Sequence, residues 1–239
     1  MSIKAFLAIA AIAAAPFAAR AGCADLALVL AVDSSGSIDA ADFALQRQGY
    51  ALAFADPGVQ AALRAAGTVD IALVLWGDSE MSPQVFGWQR ISDADDATQV
   101  AATLLYAPRY VTGNTGIGRG VSAALDLLEA PGTCAARKVI NVSGDGVETL
   151  SPRARNSIPL AFARARAAEA GVTINALAIT GDQPDLAQWY TDHLITGQGA
   201  FVIAVRDFNS FGAAIIRKLG REIAPPQLSG SYVRPHPVL

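Results

Sequence analysis

Three short segments of this 239-residue chain concentrate oxygen donors at spacings that suit a cation. The first reads Asp33-Ser34-Ser35-Gly36-Ser37, a carboxylate and two hydroxyls at alternate positions through a glycine turn. The second, Val142-Ser143-Gly144-Asp145-Gly146, sets another carboxylate between two glycines, and the third, Gly113-Asn114-Thr115-Gly116-Ile117, puts a hydroxyl at the start of a helical pattern. Carboxylate and hydroxyl oxygens are hard ligands, suited to Mg²⁺, Mn²⁺ or Ca²⁺ rather than to zinc. Each part has an ordinary explanation, since Asp145 can be a turn aspartate and Thr115 a helix cap. The joint set of Asp33, Ser35, Ser37, Thr115 and Asp145 is much rarer than any of them.

Composition removes the competing chemistries. Two histidines, His193 and His236, and two cysteines, Cys23 and Cys134, are too few for a zinc module or an iron–sulfur cluster. A net charge of −3 without a basic run leaves no face for nucleic acid. Gly77-Asp78-Ser79 superficially suggests a hydrolase nucleophile, but neither histidine is placed to serve as its base. Asp33 also suggests the nucleophile of phosphatases carrying Asp-x-Asp at a strand end, yet Ser35 replaces the second carboxylate. Trp76, Trp88 and Trp189 read as packing residues, and Glu148, Asp78 and Glu80 as residues of solvated loops beside the metal face.

The elements that must position these residues are legible in the hydrophobic pattern. Leu26 to Val32, Val69 to Trp76, Lys138 to Val142, Val172 to Ile179 and Phe201 to Val205 are apolar runs suited to strands buried on both faces. Ser82 to Ile91 reads as a further, antiparallel edge strand. Helical patterns lie between them: Asp39 caps one carrying Phe43, Leu52 and Phe54, and Ile117, Val121, Leu125 and Leu128 define a second. Ser157 to Pro159 opens a third that Gly171 stops, and Asp207 precedes a fourth with Phe208, Phe211, Ile215 and Leu219. Strands alternating with helices predict a doubly wound, mostly parallel six-stranded α/β sheet with helices on both faces and one antiparallel edge strand. Such sheets bind ligands beyond the carboxyl ends of their strands, where Asp33 and Asp145 fall.

The ends of the chain read differently. Lys4, an uncharged apolar run from Ala5 to Ala19, and the small residues of Ala19-Arg20-Ala21 predict a secretory signal peptide over 1–21. Cys23 after Gly22 raises a lipoprotein signal, which Arg20 disfavours. Cleavage after Ala21 leaves 16 basic against 21 acidic residues, a net charge of −5. The reading is a secreted or periplasmic protein without stable membrane insertion after cleavage, with one domain over 22–224 and a proline-containing tail over 225–239.

In these motifs and in element order, from about Asp25 to Ile223, the chain resembles the von Willebrand factor type A (VWA) domain with its metal-ion-dependent adhesion site. The stretches Val139 to Gly146 and Gly199 to Ile223 are similar to a bacterial branch of secreted VWA-like proteins. The resemblance implies a VWA fold in which Ser35 and Ser37 bind the cation directly, and Asp33, Thr115 and Asp145 directly or through water. It implies Mg²⁺, with Mn²⁺ or Ca²⁺ as alternatives, and a free coordination position for a carboxylate of a protein partner. Two carboxylates and three neutral hydroxyls leave the cation incompletely satisfied, which favours such an acidic ligand. One departure is Thr112-Gly113-Asn114, where many relatives carry a glycine pair, so Thr112 rivals Thr115; the Gly116-Ile117-Gly118 that follows favours Thr115. The leading expectation is a non-catalytic binding module. The alternative is a metal-dependent hydrolase of phosphatase or esterase type using the same five residues, with Arg119 near one loop.

The cysteines test the arrangement. Cys23 lies ten residues before Asp33 and Cys134 eleven before Asp145. Parallel neighbouring strands with both aspartates at one end therefore place the cysteines together at the other, within reach of a disulfide.

Overall fold

The computed structural model describes residues 22–150, 155–181 and 183–225. Residues 1–21, expected to be a signal peptide, and the tail beyond Pro225 lie outside the described residues. Six strands form one sheet: β1 (Ala24–Asp33), β2 (Val69–Trp76), β3 (Gln84–Ile91), β4 (Ala135–Gly144), β5 (Thr173–Ile179) and β6 (Val202–Val205), in the order β3-β2-β1-β4-β5-β6. All pairings are parallel except that of β3, which runs antiparallel to β2 at the edge. The doubly wound α/β sheet read from the sequence is therefore the fold.

Alternation along the central strands explains the layers. On β1, Leu26, Leu28, Leu30 and Val32 point to one face; Ala27, Val29 and Ala31 point to the other. The first face is covered by α1 (Ala40–Ala55), α2 (Pro57–Ala66), α3 (Ala94–Tyr106) and α7 (Phe211–Ile223), which bring Phe43, Phe54, Leu63, Leu104, Phe211 and Leu219 into one core. The second is covered by α4 (Ile117–Glu129), α5 (Leu160–Glu169) and α6 (Leu186–His193), through Ile117, Val121, Leu125, Ala163 and Tyr190. Ile117, Val121, Leu125 and Leu128 are all buried, as their spacing predicts.

Local chemistry sets several boundaries. Asp39 caps α1 by accepting from the Asp42 amide, as expected, but Leu52 is 63% exposed, so the buried stripe of α1 runs through Phe43, Tyr50 and Phe54 instead. Gly171 ends the α5 region with φ of +66°, a left-handed conformation that glycine adopts without strain. Asp207 caps a short 3₁₀ turn (Phe208–Ser210) that leads into α7.

The chain runs outward from β1 through β2 to β3, then returns to place β4 on the other side of β1. That reversal opens the crevice beyond the carboxyl ends of β1 and β4. Their register pairs Val32 with Ser143 and so sets Asp33 beside the Gly144-Asp145 turn. At the opposite end Ala24 pairs with Ala135, and Cys23 and Cys134 form a disulfide with a Cα–Cα distance of 4.7 Å. The spacing of Cys23 and Cys134 from the two aspartates predicts this bridge.

A buried polar string crosses the α1/α7 face. Lys218 of α7 donates to Glu222 Oε1 at 2.7 Å, and Asn141 of β4 donates to Glu222 Oε2 at 2.6 Å. The Tyr50 hydroxyl donates to Asn141 Oδ1 at 3.1 Å and lies 3.2 Å from Ser143 Oγ. Every member is shielded from water, so each hydrogen bond matters more than at a surface.

Candidate metal centre

Asp33 ends β1 fully buried. Its Oδ1 accepts the Ser35 amide at 2.8 Å, a tight turn that folds the Asp33-Ser34-Ser35 segment back over the strand end. Ser35 Oγ lies 3.2 Å from Ser37 Oγ, and Ser37 Oγ donates to Asp145 Oδ1 at 2.8 Å. Four of the five expected ligands thus form one hydrogen-bonded chain. The fifth is carried on a separate loop. Thr115 donates its amide to Thr149 Oγ1 at 2.9 Å and accepts the Thr149 amide on its own carbonyl, which ties it to the loop after Asp145. A Cβ placed on Gly146 would lie 3.6 Å from Thr115 Oγ1, so that hydroxyl sits beside the residue that follows Asp145. Thr112, the rival, is exposed, and its carbonyl accepts the Asp78 amide at 2.8 Å.

Asp33 Oδ2 is buried and has no hydrogen-bond partner. It faces Gly144, where a Cβ would come within 2.9 Å of Oδ2 and 2.8 Å of the Tyr190 hydroxyl; only glycine permits that approach. Burial, reinforced by the charge of Asp145, pushes the Asp33 carboxyl up to about 7, against the weaker opposing effect of Ser35 and of the Asp145 backbone amide nearby. The Tyr190 hydroxyl donates to Gly146 O at 3.0 Å; burial raises its titration well above the ordinary range, and both aspartates add to that. A bare carboxylate oxygen, a neighbouring carboxylate and converging hydroxyls form a site short of positive charge. Among the described residues no group of three or more His, Cys, Asp or Glu can hold a metal, so any cation here must draw on the hydroxyls.

The surroundings correct some sequence readings and add residues that motif spacing does not reveal. Glu148 is no solvated loop residue: its Oε1 accepts the Gly118 amide at 2.8 Å and its Oε2 the Leu160 amide at 2.9 Å, capping α4 and α5 with one carboxylate. That supplies the cap Ser157 was expected to provide, since α5 begins at Leu160 with no side-chain cap of its own. Asp78 accepts the Glu80 and Asn114 amides and joins the β2–β3 loop to the Thr115 loop. Arg119 donates to the carbonyls of Met81 and Asn156, so its guanidinium is engaged in holding loops. Ser34, the unassigned hydroxyl of the first motif, turns inward and donates to Val111 O at 2.7 Å and Trp76 O at 3.0 Å. Arg109, which no spacing rule marks, donates to the carbonyls of Ser34 and Ser35.

Comparison with solved structures places this architecture among VWA domains. The pilus adhesin SpaC of Lactobacillus rhamnosus GG superposes with a TM-score of 0.61 at 15% identity, over 84% of this chain and 30% of the adhesin. The vWF domain of the type V pilus tip protein Mfa5 from Porphyromonas gingivalis matches with a TM-score of 0.56 at 14% identity, over 87% of this chain and 99% of that domain. Proximal thread matrix protein 1 of the mussel byssus, in a structure with a zinc-occupied MIDAS motif, gives 0.57 at 19% identity, over 84% of this chain and 46% of the mussel protein. The chain therefore spans less than a third of the pilus adhesin and under half of the mussel protein. No curated protein sequence matches. At these identities the likeness establishes the fold alone, that of VWA domains. The model of the family described as protein of unknown function (DUF1194) matches residues 22–227, and the chain belongs to that family.

Proposed function

We propose that this protein is an exported, non-catalytic adhesion module. It holds a divalent cation through Asp33, Ser35, Ser37, Thr115 and Asp145 and takes a carboxylate from a protein partner at a remaining coordination position. Mg²⁺ is the leading cation, with Mn²⁺ and Ca²⁺ as alternatives. The observation that carries the reading is the orphaned, fully buried Asp33 Oδ2 beside the Ser35–Ser37–Asp145 chain. A buried carboxylate oxygen without a well-formed hydrogen bond is costly, and a cation satisfies it. The donor set suits a hard cation: carboxylate oxygens supply charge, and the hydroxyls fill positions without adding more. When bound, the cation supplies a Lewis-acidic centre for an anionic oxygen of the partner.

Export rests on the signal-like residues 1–21 and on the disulfide, which belongs to oxidising compartments. Among the described residues no helix is long and apolar enough to cross a membrane. Binding of a protein partner accords with the pilus adhesins that share the fold.

Titration calorimetry of the purified protein with Mg²⁺, Mn²⁺ and Ca²⁺ tests the metal. Saturable binding to the wild type and its loss in Asp33→Ala is the expected outcome. Absence of binding, or binding indifferent to that substitution, refutes the site. Pull-down from the cell envelope with and without chelator then tests the partner, whose capture must depend on the cation.

A further inference from the structure

The second inference concerns which cation the site accepts, and it rests on the metal reading above. Arg109 lies in the loop between α3 and α4. Its Nη2 donates to Ser34 O at 2.9 Å and to Ser35 O at 2.7 Å, and its Nε donates to Ser34 O at 3.2 Å. The guanidinium carbon sits 5.3 Å from the ring centroid of buried Phe43, so an aromatic face helps to fix the fork. The contacts are reciprocal: Ser34 Oγ donates to Val111 O, and the Gly36 amide donates to Gly113 O at 2.7 Å. Arg109 thus anchors a seam between the turn carrying Asp33, Ser35 and Ser37 and the loop carrying Thr115.

The chemistry of the two carbonyls gives the seam a consequence. Main-chain carbonyl oxygens are favoured ligands of Ca²⁺, which takes six to eight oxygens in flexible geometry, whereas Mg²⁺ requires a compact octahedron and retains several waters. A carbonyl held by a guanidinium is withdrawn from a cation. Two consecutive carbonyls of the ligand turn are withdrawn here, Ser34 O by Arg109 and Ser35 O by Arg109 together with the Ile38 amide at 3.2 Å, so the turn offers the hydroxyls of Ser35 and Ser37 and the carboxylate of Asp33. We infer that Arg109 is a positioning residue that sets cation selectivity, favouring Mg²⁺ and Mn²⁺ over Ca²⁺ by holding the Ser34 and Ser35 carbonyls away from the metal.

The test is the ratio of Ca²⁺ to Mn²⁺ dissociation constants in the wild type, in Arg109→Lys and in Arg109→Gln, with thermal melts to confirm folding. Lysine keeps the charge but cannot span both carbonyls with a planar fork. Glutamine removes the charge, which affects two divalent ions alike and leaves their ratio as a report on ligand geometry. The expected result is a fall of about tenfold in the preference for Mn²⁺ in either folded variant, equivalent to about 1.4 kcal/mol. A ratio within twofold of the wild type, including equal weakening of both ions, overturns the role of Arg109. A wild type that binds neither ion overturns the metal reading itself.

Discussion

Asp33 is the residue on which stability and function pull apart, and Asp33→Asn separates them. The carboxyl is fully buried and held near 7, against an ordinary value of 3.8. A raised acid means that the folded state binds its proton more tightly than the unfolded state does. The contribution of Asp33 to the stability of the metal-free protein is therefore most favourable below pH 4, falls as pH rises from about 4 to 7, and stays low above that. At 1.36 kcal/mol per pH unit, the shift amounts to about 4 kcal/mol at pH 8, an upper bound because the neighbouring charge of Asp145 shares in it. Asparagine keeps an acceptor for the Ser35 amide and removes the buried charge. In chelator at pH 8, denaturant unfolding of Asp33→Asn should show it more stable than the wild type by about 1–4 kcal/mol. The advantage should shrink toward pH 5. With Mn²⁺ at about 100 times its dissociation constant the wild type should gain about 2.7 kcal/mol and the variant nothing. A metal-free variant no more stable than the wild type at pH 8, with a flat pH profile for both, refutes the reasoning.

Three further outcomes follow from contacts elsewhere in the fold. Lys218→Met leaves the Glu222 carboxylate buried without its cation and should cost about 3–5 kcal/mol by denaturant unfolding. Lys218→Met combined with Glu222→Gln, which keeps an acceptor for Asn141, should recover most of that loss. Replacing Cys23 and Cys134 together by serine opens a link across 111 positions and should lower stability by roughly 2–5 kcal/mol without abolishing metal binding in calorimetry. Gly144→Ala places a methyl within 2.9 Å of Asp33 Oδ2 and 2.8 Å of the Tyr190 hydroxyl; calorimetry should show cation affinity reduced at least tenfold while the chain still folds.

The sheet was legible because its central strands are buried on both faces, so that the runs at Leu26, Val69 and Val172 carry few polar residues. The Asp-x-Ser-x-Ser turn was legible because its donors are adjacent in sequence. Contacts that cross between loops left no comparable trace. Glu148 reaches two helix starts 30 and 12 residues away, and Arg109 reaches a turn 75 residues before it. No periodicity or spacing rule encodes such distances. Leu52 failed for a related reason: helical spacing defines a stripe, but the neighbouring helices decide which side of it is covered, and they cover Tyr50 rather than Leu52.

The disulfide and the candidate metal centre occupy opposite ends of the same strand pair, and this arrangement bears on how the site is prepared. At the carboxyl ends of β1 and β4, Asp33 and Asp145 repel each other, which adds to the larger effect of burial in raising the Asp33 carboxyl. Repulsion at one end of a parallel pair tends to splay it, but the pair is tied at its other end by Cys23–Cys134 and along its length by a register running from Ala24↔Ala135 to Val32↔Ser143. Ser37 Oγ on Asp145 and the Ser35 amide on Asp33 add further ties between the turn and the two carboxylates. A site kept assembled in this way has its reorganisation cost met during folding rather than at binding. On the proposed reading, a cation bound there would remove a repulsion that the covalent end of the strand pair already resists, and its binding energy would go into affinity rather than into assembling the loops.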